Sequence, residues 1–112
     1  MNVTANVTQA LFLIEMSEQL NKVVTHNKNI ISKAQVKVPK DERQVARIKN
    51  QIEVSSSCVT VASQGLSTLE NGHFNDGLVK KYAAVWSGFS ITYPKDLELI
   101  EYYVGIVDLM KG

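Results

Sequence analysis

Between residues 45 and 69 apolar positions recur every three and then four residues. Val45, Ile52, Val59 and Leu66 lie seven apart, Ile48, Ser55, Ala62 and Leu69 interleave with them, and seven of these eight positions are apolar. A strand would use only the residues around 58–61, where alternation is imperfect and serines bound it. Over a window of this length the 3.5-residue period predicts a helix. The run Ser55, Ser56, Ser57, Cys58 therefore falls in mid-helix, among residues that favour helix weakly. Packing is the expected compensation, because small side chains let a second helix approach. Pro39 in the first turn, with Asp41 and Glu42 against the positive end of the dipole, sets the start. Asn71 and Gly72 set the stop, giving a helix over about 39–71.

The preceding segment has the same rhythm. Ala10, Ser17, Val24 and Ile31 form one row, and Leu13, Leu20, Asn27 and Ala34 the other. Asn6 and Gln9 form a capping-box pattern, and Glu18 with Lys22 adds a favourable i,i+4 pair. This predicts a helix over about 7–35, with Asn27 either fixing register in the seam or facing solvent. A link as short as residues 36–40 makes the two long helices antiparallel neighbours.

Two shorter helices follow. Asn75 is a candidate cap for one over about 76–89, which places Leu78 or Val79, Tyr82, Trp86 and Phe89 on one face. Pro94, Asp96 and Glu98 open another over about 94–110, whose inward face is Leu97, Ile100, Val104, Val107 and Met110 or Lys111. Gly105 costs that helix about 1 kcal/mol unless it permits close packing. The fold expected is a single all-α domain over 1–112, a long antiparallel hairpin with two short helices, bundle-like in outline.

Length then shapes the picture. The long helices extend roughly 45 Å and the short ones only about 20–26 Å at 1.5 Å per residue. The third helix must begin beside the end of the second, so the short pair covers only that half of the hairpin. Residues 25–53 are expected to project as an arm. All eight aromatic residues lie outside it, none falling between Phe12 and Phe74.

Charge is informative through its placement. The chain carries a net +1, yet residues 26–53 hold seven basic and three acidic side chains, a local +4. Lys33, Lys37, Lys40, Arg43 and Arg47 are the candidate partner-binding residues, steering an acidic surface toward the arm. Lys40, Arg43 and Arg47 also follow one face of the second helix, as phosphate binding requires.

Chemistry-bearing residues are sparse. Cys58 is the single cysteine, so no intramolecular disulfide forms, and beside the seam it reads as a small hydrophobe. His26 and His73 lack metal-ligand spacing with any partner, and there is no phosphate-cradling glycine loop and no nucleophile elbow. No catalytic residue, metal or cofactor is assigned. The N-terminus has no basic region before its short apolar run, and no stretch approaches the roughly 18 apolar residues of a membrane helix, so a cytoplasmic location is expected.

Trp86, Ser87 and Gly88 are similar to the Trp-x-Gly turn of small helical-hairpin proteins exported by type VII secretion systems. There the turn joins two long helices, whereas here it follows a short third one. Neither Tyr102 nor Tyr103 has the acid four residues on that the export signal of those proteins requires. No family is assigned on it, and Trp86 is read as a core anchor.

The function expected is non-enzymatic association: an adaptor, assembly or inhibitor protein that contacts another copy of itself, or another protein with an acidic surface, through the hairpin. The alternative is a nucleic-acid-binding protein using the basic stripe of residues 33–49.

Overall fold

A computed structural model describes the backbone of residues 3–86 and 97–111, with side chains from residue 9 onward. Among the described residues there are four helices and no strand: α1 Val3–Gln35, α2 Glu42–Asn71, α3 Asp76–Trp86 and α4 Leu97–Met110. The two long helices form the expected hairpin, with α4 packed along α2 and α3 against α1. No helix of the described residues is long and apolar enough to cross a membrane.

Local chemistry sets most boundaries. Asp41 caps α2, its carboxylate accepting from the Gln44 backbone N–H at 2.8 Å. The Gln44 side chain reaches back to accept from the Lys40 N–H at 2.8 Å, so each end of the turn satisfies the other. Pro39 thus precedes the helix instead of opening it, because Asp41 takes the cap three residues before Gln44. Asn75 caps α3 as expected, accepting from the N–H groups of Gly77 and Leu78 at 3.0 and 3.2 Å. At the N-terminus α1 starts at Val3, so Asn6 is inside the helix and not at its cap. Nothing in residues 3–5 forbids helical dihedrals, and a capping pattern alone does not stop the chain from winding further. The expected positions 87–89 of the third helix, 94–96 of the fourth, and Phe89 lie outside the described residues.

Two apolar clusters hold the helices together. Nearer the termini of the hairpin, Phe12 and Met16 of α1 meet Val79, Ala83 and Trp86 of α3 and Ile106, Val107 and Met110 of α4. Next along the hairpin, Leu20 and Val23 meet Cys58 and Ala62 of α2 and Ile100 of α4. Burying each large aliphatic side chain contributes about 1.5–3 kcal/mol before chain entropy is counted. Trp86 is a core anchor: its ring stands edge-on to Phe12 at 5.6 Å and to Tyr103 at 5.2 Å. The indole N–H donates to Glu15 Oε2 at 3.2 Å.

The seams are rotated from the simple heptad. In α2 the buried positions are Ser55, Cys58, Ala62 and Gly65, while Val45 is half exposed and Ile52, Val59 and Leu66 are only partly buried. In α1, Phe12, Met16 and Val23 take the place of Ala10, Ser17 and Val24 beside Leu20, Asn27 and Ala34. A heptad read from one strip assumes a single neighbour. Here α3 and α4 approach from the side and pull the buried arc round by about one residue. Small side chains in α2 then serve close approach as expected: a Cβ on Gly65 would stand 2.9 Å from Leu20 and 3.0 Å from Val104.

Candidate interaction surface

The molecule measures 63 × 24 × 18 Å, and the segment furthest from the clusters is the outer part of the hairpin. Between residues 24 and 57 only Asn27, Ala34 and Ser55 are buried. Asn27 is in the seam, its side-chain amide donating to the Val23 carbonyl of its own helix at 2.9 Å. Ser55, the other buried polar residue, is in the facing helix. Ile30, Ile31, Ile48 and Ile52 are partly buried along the seam, and the valines from Val36 onward are outside. Val36 is 80% exposed and Val38 85%, and Val45 and Val54 are each about half exposed.

All five basic candidates are exposed. Lys33 is in the last turn of α1, Lys37 and Lys40 are in the link, and Arg43 and Arg47 lie one turn apart at the start of α2. Among the described residues no ion pair engages any of the five. Two shallow troughs run along opposite sides of the hairpin. One is largely apolar, lined by Ala34, Val45, Ile48 and Ile52, with Lys37 and Lys49 at its margin. The other is more polar, with His26, Asn27, Arg47 and Ser55 beside Ile30 and Val54. Lys37 borders both; Lys33, Lys40 and Arg43 border neither. The five candidates therefore ring the end of the hairpin and do not line one groove.

The groups considered for chemistry are apart. Cys58 is fully buried in the second cluster, and His73 is exposed on the turn after α2, about 20 Å further along that helix. His26 lies on α1 beside the polar trough. Among the described residues no three of His, Cys, Asp and Glu gather as metal ligands do.

A second surface escaped sequence reasoning. α4 buries Ile100, Ile106, Val107 and Met110, yet Tyr102 and Leu109 on its other side are 58% and 59% exposed. Between them lies Gly105, and a Cβ there would meet no described atom within 4 Å. The signal was available: Leu97–Met110 is apolar on nearly every side, and a helix of that kind ordinarily has neighbours all round. Its charged residues, Glu98, Glu101 and Asp108, are all acidic. Tyr103 turns inward from the same helix toward Trp86, and burial, with Tyr102 adding to it, pushes its phenol pKa above the ordinary value.

No protein-family model matches the chain, and no match was found among curated proteins or among solved structures. The geometry defines an all-α hairpin protein with a basic outer end.

Proposed function

We propose that the chain is a non-enzymatic association module that contacts a second copy of itself through the outer end of its hairpin. One observation supports this most: a two-helix segment buries three residues while leaving four valines open to water. Such a segment gains stability when a partner covers it. The surrounding lysines and arginines select an acidic surface and speed encounter with it. The same chain carries an excess of acidic side chains elsewhere, residues outside 26–53 having a net −3. A reducing, cytoplasmic setting suits the buried free Cys58.

The test is reversal of Arg43 and Arg47 to Glu, followed by solution mass across a concentration series. Self-association of the wild type should fall at least about tenfold in affinity, with helical circular dichroism unchanged. A wild-type chain that stays monomeric, or one whose association ignores the reversal, contradicts the proposal. Tight, steeply salt-dependent binding to an arbitrary duplex by a monomeric chain would assign the basic end to nucleic acid instead.

A further inference from the structure

Self-association through the basic end leaves open what that end touches. Two such ends do not suit each other, because each carries +4 over residues 26–53 and like charges brought together cost binding energy. The docking face must be another part of the second copy, and it must be acidic at its edge and apolar at its centre.

The outer side of α4 has both properties. Around Gly105 one helical turn in each direction stand Glu101, Tyr102, Asp108 and Leu109, the i−4, i−3, i+3 and i+4 neighbours. Tyr102 and Leu109 are more than half exposed, although both are large and apolar in bulk. Glu101 and Asp108 are exposed beside them, and no basic residue occurs between Leu97 and Met110.

Gly105 supplies an independent reason. Glycine inside a helix costs about 1 kcal/mol relative to alanine, and that cost is normally offset by a close contact. At Gly65 the contact is visible within the chain; at Gly105 no described atom is near enough to need the missing side chain. Among the described residues nothing fills the space beside Gly105 between Tyr102 and Leu109. What fits is a small, exposed apolar knob bordered by positive charge. Val36 and Val38 are the most exposed large apolar side chains described, with Lys33, Lys37 and Lys40 next to them.

They cannot reach α4 of their own chain. Val104 packs at the level of Gly65 and Leu20, and from Leu20 to the end of α1 is about 22 Å of helix. We propose that the valine tip of the hairpin, Val36 and Val38, docks over Gly105 of a second copy, between Tyr102 and Leu109, with Glu101 and Asp108 facing the basic side chains of the tip. In an antiparallel side-by-side pair both tips reach both α4 helices at once, so the contact forms twice and closes a dimer.

This rests on the reading of the basic end as a self-association surface, and paired variants separate the two. One variant reverses the tip (Lys37→Glu, Lys40→Glu), a second reverses α4 (Glu101→Lys, Asp108→Lys), and a third adds a side chain at the glycine (Gly105→Gln). Solution mass is measured by sedimentation for each and for an equimolar mixture of the first two. The docking predicts a wild-type dimer, loss of at least about tenfold in affinity for each variant alone, and recovery of the dimer on mixing the two reversals. Gly105→Gln should lose association while its folded helix becomes more stable, a combination that damage to the fold does not produce. If the tip reversal abolishes association but the α4 reversal and Gly105→Gln leave it intact, the α4 docking is wrong and the reading of the basic end stands. If the wild type is monomeric, or no reversal has any effect, both are wrong.

Discussion

Gly65 and Leu20 touch so closely that a Cβ on the glycine would stand 2.9 Å from Leu20 Cδ1, with Val104 Cγ2 at 3.0 Å on the other side. Three helices meet at this point, α2 contributing backbone where the other two contribute branched side chains. Cys58, Ala62 and Gly65 are the small residues that let α1 and α4 close on α2, whereas Ser56 and Ser57 of the same run are exposed.

Gly65→Ala should therefore destabilise the fold. Alanine gains about 1 kcal/mol in helix propensity, but overpacking a filled site costs about 1–3 kcal/mol, and Leu20 is fully buried with little room to turn. A net loss of about 1 kcal/mol is expected in urea unfolding, and Gly65→Leu should lose about 3 kcal/mol. A stabilised Gly65→Ala chain would show that the three helices are further apart than described.

Gly105→Ala should do the opposite. With no described atom within 4 Å of its Cβ, alanine brings the propensity gain without a clash among the described residues, about 0.5–1 kcal/mol of added stability in the isolated chain. What surrounds the missing side chain sets the sign at each glycine: Leu20 and Val104 at Gly65, no described atom within 4 Å at Gly105.

Asp41→Ala removes the carboxylate that accepts from the Gln44 N–H. The cap is exposed, so the expected loss is about 1 kcal/mol, and amide exchange at Gln44 should speed up while the two apolar clusters keep their protection. Asp41→Asn should retain most of the stability, since its side-chain oxygen can accept the same bond. Equal losses for both would show that the carboxylate's charge, and not its hydrogen bond, carries the effect.

Tyr103 sets an alkaline limit. Burial raises its folded-state pKa above the unfolded value, so the folded chain holds its proton where the unfolded chain gives it up. The resulting stability is fully present below the ordinary tyrosine pKa of about 10 and is lost as pH climbs through the raised folded value. Tyrosinate absorbance should show one late-ionising tyrosine in the native protein, absent from Tyr103→Phe. A Tyr103→Phe chain with the same alkaline loss of stability as wild type would place the titrating group elsewhere.

Much of this fold was legible in the periodicity. The four helices, the antiparallel hairpin, the Asn75 cap and the anchoring role of Trp86 all follow from spacing, turn residues and aromatic placement. The rotation of the seams was not, because Cys58 and Gly65 are buried in place of Val59 and Leu66 by a fourth helix whose direction of approach no single strip reveals. Pro39, read in a first turn, and Asn6, read as a cap, show the same limit at helix ends: each is compatible with a helix start, and the observed starts lie elsewhere. The basic residues of the hairpin stood out as a run of charge, whereas Tyr102 and Leu109 were hidden in a helix that reads simply as apolar.

We propose above that the hairpin's basic end joins two copies of this chain. Light scattering across a concentration series at low and moderate salt tests it most directly, with Arg43→Glu/Arg47→Glu alongside. The mass of the wild type should rise from 12.4 kDa toward twice that value, sooner at low salt, while the variant stays near 12.4 kDa throughout. A wild type and a variant with the same mass at every concentration would contradict it.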